Sequence, residues 1–179
     1  EYYGATEGLG FTACDSVQWL AHRGTVGKVL LGDLHILDEN MQPCPVGTPG
    51  TVWFKTATPF EYFNDPGRTR EARSPDGCMS TVGDIGHLDA EGFLYLTDRK
   101  SYTIISGGVN IYPQECENLL ITHPKVADAA VFGVPNEDLG EEVKAVVQPL
   151  AGVRGARELE AELIAFCREH LAGLKCPRS

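Results

Sequence analysis

The sequence predicts a mixed α/β and α+β chain in two parts, a strand-rich stretch over residues 1–99 and a small α+β domain over residues 100–179. Three observations carry this expectation. Short β-branched and aromatic runs, punctuated by Gly, Pro and Asp, fill the first part. The second part has a β-α-β-β-α order within roughly 75 residues, the size of a small α+β unit. The pattern changes just after Arg99, which sets the boundary near Arg99-Lys100.

Within the first part, residues 27–63 read as β. GKVLLG and LHILD are apolar runs separated by Gly32-Asp33, a pair expected to turn a hairpin. ENMQPCPVGTPG (39–50) is rich in turn formers, and TVWFKT (51–56) is a further β-branched and aromatic run. NDPGRTREARSPDG (64–77) predicts a surface loop or short helix. GDIGHLD and FLYLTDR, separated by Glu91-Gly92, predict a second hairpin. These strands lack a complete set of partners. A sheet needs a covering layer for its apolar face, so they read as part of a domain whose remainder is missing.

In the second part, YTIIS (102–106) predicts a short strand that GGVN ends. Pro113 suits the first turn of a helix, where its missing N–H costs nothing; Cys116, Leu119 and Leu120 give that helix an apolar face. VADAAVFGV and EEVKAVVQPL predict two strands, with Val143, Ala145 and Val147 on one side of the second. ARELEAELIAFCREHLAGL (156–174) predicts a helix, because Leu159, Leu163, Phe166, Cys167 and Leu171 recur at helical spacing. Glu158, Glu160 and Glu162 belong to its solvated face, and His170 to its buried edge.

A formal net charge of −10 argues against nonspecific binding to nucleic acid or anionic membrane, both of which rely on excess Lys and Arg. It leaves room for a local basic site for a phosphate. The six cysteines form no C-x-x-C pair and have no His cluster beside them, so they read as free cytosolic thiols rather than disulfides or a zinc site. No apolar run approaches the ~20 residues of a membrane span, so no transmembrane segment is expected. The chain begins at Glu1 rather than Met, so a leader upstream is compatible with it.

Four stretches bear functional groups. Tyr3-Gly4-Ala5-Thr6-Glu7 reads alone as a turn with helix-capping residues. Val82-Gly83-Asp84 reads alone as a turn, Asp98-Arg99-Lys100 as a solvated charge cluster, and Ser106-Gly107-Gly108 as a linker between strand and helix. Their order and spacing resemble the adenylate-forming (AMP-binding) superfamily. That superfamily includes acyl-CoA synthetases, luciferases and peptide-synthetase adenylation domains. YGATE is similar to its Y-G-x-T-E motif. GDIGHLDAEGFLYLTDRK is similar to its G-D-x-G segment running to D-R, and SGGVNIYPQECE to its glycine loop and following helix. The glycine loop and the TVGD and TDRK wording look most like acyl-CoA synthetases of the fatty-acid CoA ligase type.

The resemblance implies a strand-rich C-terminal part of the large adenylating domain over 1–99, then a small mobile C-terminal domain over 100–179. It implies a cytoplasmic AMP-forming ligase that joins a carboxylic acid to coenzyme A at the expense of ATP, through an acyl-adenylate. Tyr3, Gly4, Thr6, Asp84 and Arg99 would contact ATP or AMP, and Glu7 would hold Mg²⁺. Thr6 and Glu7 would serve catalysis, and Lys100 would be the hinge. Gly107 and Gly108 would line the CoA channel. The phosphate-gripping loop and most of the acyl pocket, which the family carries before YGATE, are not in this sequence. Lys175-Cys176-Pro177 matches the family's K-x-P element, and the late catalytic lysine lies beyond it. The chain is therefore expected to be a piece, inactive in adenylation without the N-terminal part of the same protein. A carrier-protein thiol in place of CoA, or a noncatalytic nucleotide-binding module, are the alternative readings.

Overall fold

In the computed structural model, which describes residues 1–57, 59–155 and 157–179, the chain divides by its contacts into Glu1–Lys100 and Ser101–Ser179. Thr58, inside the segment read as extended, and Ala156, the first residue of the expected last helix, lie outside the described residues.

The first unit opens with an antiparallel sheet of β1 (Tyr2–Gly4), β2 (Phe11–Ala13) and β3 (Lys28–Leu31). Between β2 and β3 runs a short helix, α1 (Ser16–Ala21). Asp15 caps it by accepting the Gln18 N–H at 2.8 Å, while the Gln18 side chain accepts the Asp15 N–H at 3.1 Å. A second antiparallel sheet holds β4 (Asp33–Leu37), β5 (Gly50–Lys55), β6 (Asp84–Leu88) and β7 (Leu94–Arg99), in that order. The proline at the start of α2 (Pro66–Glu71) makes that segment a short helix within the expected polar stretch.

Leu9, Ile36, Val52, Phe54 and Leu94 form the core of this unit. Gly10 lies against Phe54 so closely that a Cβ would sit 2.1 Å from the ring. The sheets are stitched by Val26 N–H to the Leu94 carbonyl and Leu94 N–H to the Gly27 carbonyl, both 2.9 Å. The buried Thr25 hydroxyl adds a 2.7 Å bond to the Leu94 carbonyl.

The expected hairpin at Gly32-Asp33 does not form. β3 pairs with β2, and β4 pairs with β5 from Asp33↔Lys55 to Leu37↔Thr51. Asp33 is itself the first residue of β4, so only Gly32 separates the strands, and the tightest common hairpin needs two loop residues. Gly32, at φ 81°, instead turns the chain from one sheet into the other. The extended reading of 27–63 also overran, because β5 ends at Lys55 and no strand is assigned to the described residues from there to Phe63. The Glu91-Gly92 hairpin is present as β6 and β7.

The second unit begins within a 3₁₀ turn, Lys100–Tyr102, and continues as β8 (Ile104–Ser106) and β9 (Val109–Ile111). Gly107-Gly108 therefore does not hand a strand to a helix. It is the two-residue tip of a hairpin, with Ser106 opposite Val109 and φ of 57° and 78°, the positive pair that a type I′ turn requires. Then come α3 (Pro113–Leu120), β10 (Val126–Asn136), β11 (Gly140–Pro149) and α4 (Arg157–His170), with sheet order β10-β11-β8-β9.

Cys116 and Leu120 of α3 and Leu159, Leu163 and Cys167 of α4 pack with Ile104, Ile111, Val131 and Val143 of the sheet. All six cysteines are free. The Cys116 and Cys167 sulfurs lie 4.0 Å apart in this core, where that contact and burial hold the Cys116 thiol well above its ordinary pKa. Helix α4 stops short of the expected Leu174 because the backbone turns extended at Ala172. His170 is exposed rather than at a buried edge. Among the described residues no helix is long and apolar enough to cross a membrane.

Candidate nucleotide site and glycine hairpin

Strand β1 carries Tyr3, and the chain leaves it through a turn at Thr6-Glu7. The turn is closed by Gly8 N–H to the Ala5 carbonyl at 3.0 Å and anchored by buried Leu9. Thr6 is exposed and Glu7 half-buried. The Thr6 hydroxyl lies 3.2 Å from Glu7 Oε2, and the Tyr62 hydroxyl donates to Glu7 Oε1 at 3.3 Å. The Arg68 guanidinium lies 4.0 Å from the centre of the Tyr62 ring, a cation–π contact. Neither Tyr62 nor Arg68 was singled out in the sequence. Tyr62 stands 55 residues from Glu7 along the chain, and no spacing rule links them.

Asp84 begins β6, directly opposite Arg99 on β7. Its carboxylate is buried and has two partners. The Tyr3 hydroxyl donates to Oδ2 at 2.6 Å, and Arg99 Nε lies 3.4 Å from Oδ1. Burial, then the bond to Asp84, pushes the Tyr3 phenol far above its ordinary pKa, so Tyr3 stays a donor. Phe54 stacks on the Tyr3 ring at a centroid distance of 6.3 Å. Gly83, at φ 84°, fixes the entry to β6, and its N–H bonds to the Thr81 hydroxyl at 3.0 Å.

The structure thus brings Tyr3, Asp84 and Arg99 into one group, joined by a hydrogen bond and an ion pair, with Glu7 and Thr6 paired on the loop that follows Tyr3. A carboxylate offers about four lone-pair directions; Asp84 Oδ2 spends one on the Tyr3 hydroxyl, and Oδ1 faces Arg99 in an ion pair. Among the described residues that leaves acceptor capacity on both oxygens, which suits a pair of vicinal hydroxyls. Lys100 closes the first unit, with its N–H bonded to the Gly83 carbonyl at 2.7 Å. In the second unit the Gly107-Gly108 tip is exposed. It is fastened to the turn before β11 by the Gly107 N–H and the Leu139 carbonyl, 2.9 Å apart.

Residues 115–179 match the model of the AMP-binding enzyme C-terminal domain. Over 177 residues the chain is 40% identical to 2-succinylbenzoate–CoA ligase of Geobacillus kaustophilus, covering 98% of this chain and 35% of that protein. It is 35% identical to a long-chain-fatty-acid–CoA ligase of Yersinia pestis, over 96% of this chain and 31% of that one. Among solved structures, o-succinylbenzoate CoA synthetase of Bacillus subtilis in complex with its acyl-adenylate intermediate superposes at a TM-score of 0.82. It is 32% identical, over 99% of this chain and 36% of that one. The amide bond synthetase of Marinactinospora thermotolerans gives a TM-score of 0.80 at 34% identity, over the same shares. The chain spans about a third of the length of these relatives. With the motifs, the matched domain and the shared fold in agreement, the chain belongs to the adenylate-forming, AMP-binding enzyme superfamily.

Proposed function

We propose that this chain supplies nucleotide contacts and the thiol-transfer hairpin of an AMP-forming acid–thiol ligase. The observation that carries the reading is buried Asp84, held by a hydrogen bond from Tyr3 and an ion pair with Arg99, with acceptor capacity remaining on both oxygens among the described residues. In this reading Asp84 accepts the two ribose hydroxyls of ATP or AMP, and Arg99 donates to ribose or phosphate. Tyr3 and Gly4 border the adenine, and Thr6 donates to a phosphate oxygen.

The substrate carboxylate oxygen attacks the α-phosphorus of ATP, and pyrophosphate leaves. The thiol sulfur of CoA then attacks the acyl carbonyl carbon of the adenylate. The bond from that carbon to the AMP oxygen breaks, and AMP departs. Gly107 and Gly108 border the path of the thiol arm, because a tip without side chains admits a slender ligand. Lys100, at the junction of the two units, is proposed as the hinge of a closure between the two steps.

Glu7 is a single hard oxygen donor. Among the described residues no group of three or more His, Cys, Asp or Glu could hold a metal ion. Its chemistry therefore fits Mg²⁺ held jointly with substrate phosphates. Bound so, the ion would neutralise phosphate charge. The substrates proposed are a carboxylic acid, ATP and CoA. A cytoplasmic setting is supported by the six free thiols.

The test is calorimetric titration of the enzyme carrying this chain with AMP, alongside carboxylate-dependent exchange of labelled pyrophosphate into ATP. Asp84→Asn is expected to weaken AMP binding roughly 10- to 100-fold, the loss of one or two hydrogen bonds to a charged acceptor. Unchanged AMP affinity in that variant would sink the assignment of Asp84 to the ribose.

A further inference from the structure

We infer that Glu141 is a positioning residue that sets the Gly107-Gly108 hairpin for thiol transfer; the role given to the hairpin rests on the ligase reading above. The hairpin has little core of its own. Ile104, Ser106 and Ile111 are buried, while Ile105, Gly107, Gly108, Val109 and Asn110 are exposed. Its pairing with β11 is a single register position, Gly140↔Ser106. Where a longer ladder would offer the next backbone carbonyl, a side chain stands in. Glu141 Oε2 accepts the Ile105 N–H at 2.8 Å. A charged acceptor makes this the stronger kind of backbone hydrogen bond.

Two features show that the arrangement is built. Gly133 of β10 lies under the Glu141 carboxylate, and a Cβ there would come within 2.8 Å of Oε1. The glycine leaves the room that the carboxylate uses. The other anchor, the Leu139 carbonyl, is set by Asn136, whose Oδ1 accepts the N–H groups of Asp138 and Leu139 at 3.0 Å each. Asn136 Nδ2 in turn donates to Glu142 at 2.7 Å. The Glu141 bond, the Leu139 bond and the Gly140↔Ser106 pairing that hold the hairpin from outside thus all trace to the segment 136–142. With a single register position tying it to β11, the tip is expected to shift when the Glu141 bond is lost. Misplacement by about 1 Å is enough to cost a reaction roughly 100-fold.

Two measurements on Glu141→Ala and Glu141→Gln test this. The first is residue-resolved amide exchange on the 179-residue chain. Ile105 is expected to exchange roughly tenfold or more faster in Glu141→Ala, through local opening, and near the wild-type rate in Glu141→Gln, whose amide oxygen still accepts. The second compares half-reactions in the enzyme carrying this chain. CoA-dependent release of AMP is expected to fall roughly 10- to 100-fold in Glu141→Ala. Pyrophosphate exchange should stay within about twofold of wild type, and Glu141→Gln should recover most of the loss. Gly133→Ala, which displaces the carboxylate without removing it, is expected to copy Glu141→Ala and decides the matter if that variant does not fold.

Equal loss of both half-reactions, or thiol transfer unchanged while Ile105 is deprotected, overturns the positioning role. Unchanged Ile105 exchange overturns the structural claim. Absence of pyrophosphate exchange in the wild-type enzyme overturns the ligase reading instead, and the exchange arm still decides whether Glu141 holds the hairpin.

Discussion

Two tyrosine–carboxylate pairs near the proposed nucleotide site look alike and are expected to differ in worth. Tyr3 donates to buried Asp84 at 2.6 Å, whereas Tyr62 donates to half-buried Glu7 at 3.3 Å. Removing the first donor leaves a buried carboxylate with Arg99 alone, and the Arg99 side chain is 63% exposed. Tyr3→Phe should therefore lower unfolding free energy by roughly 1–3 kcal/mol, the range for hydrogen bonds to charged groups. Tyr62→Phe should cost within about 0.5 kcal/mol, since water can replace a partner at an accessible carboxylate. Urea denaturation of the two variants under identical conditions checks the contrast, and equal losses would contradict it. Asp84 and Arg99 were legible as parts of a motif. The bond from Tyr3 to Asp84 was not, because the two are separated by 81 residues and lie in different sheets, and they meet only in the folded chain.

The turn between β6 and β7 is organised by the Asp89 carboxylate. Asp89 Oδ1 accepts the N–H groups of Glu91 and Phe93 at 2.9 Å each, and Oδ2 lies 3.1 Å from His22 Nδ1. Burial works to raise the Asp89 pKa, but the Phe93 and Glu91 amides and His22 outweigh it, and the carboxyl sits below its ordinary range. A carboxyl depressed in the folded state stabilises fully above its unfolded pKa, near ~4, and loses that contribution as pH falls through the folded value. Asp89→Asn is thus expected to cost roughly 1–2 kcal/mol at pH 7, where the charge is lost from its hydrogen bonds. The gap to wild type should close as pH falls through the folded value of Asp89, read from urea midpoints along the pH series. A gap that stays constant would mean that shape, not charge, is what Asp89 provides. This hairpin was readable because Glu91-Gly92 leaves enough loop between two β-patterned runs. The supposed hairpin at Gly32 was misread because the apolar pattern marks where strands lie, not which strand each will join. β9 was missed for a related reason. Val109–Ile111 is three residues long, too short for alternation to show, and its existence depends on the type I′ tip that Gly107-Gly108 makes.

At the scale of the molecule, most of the buried apolar side chains of the described residues gather into two separate clusters. One gathers Leu9, Ile36, Val52, Phe54 and Leu94, and the other gathers Ile104, Ile111, Cys116, Leu120, Val143, Leu159, Leu163 and Cys167. The second was largely legible, since the 3.6-residue period of α4 and the side of β11 that carries Val143 both pointed inward. The first was not, because its strands are short and its best-buried residues are brought together by sheet order rather than by local pattern. Separate cores imply separable stability. Leu163 is 7% exposed, one turn from Leu159 and one from Cys167, so Leu163→Ala removes packing from the centre of its unit. A loss of roughly 2–5 kcal/mol is expected for such a truncation, a large part of what a domain this size holds. Amide exchange should accelerate throughout residues 101–179. Phe54 and Leu94, whose N–H groups bond to the carbonyls of Ser80 and Gly27 at 2.9 Å, should keep their protection. If those two amides lost protection in step with Val143, the units would unfold as one, and the division at Lys100 would be a feature of geometry without a counterpart in energy.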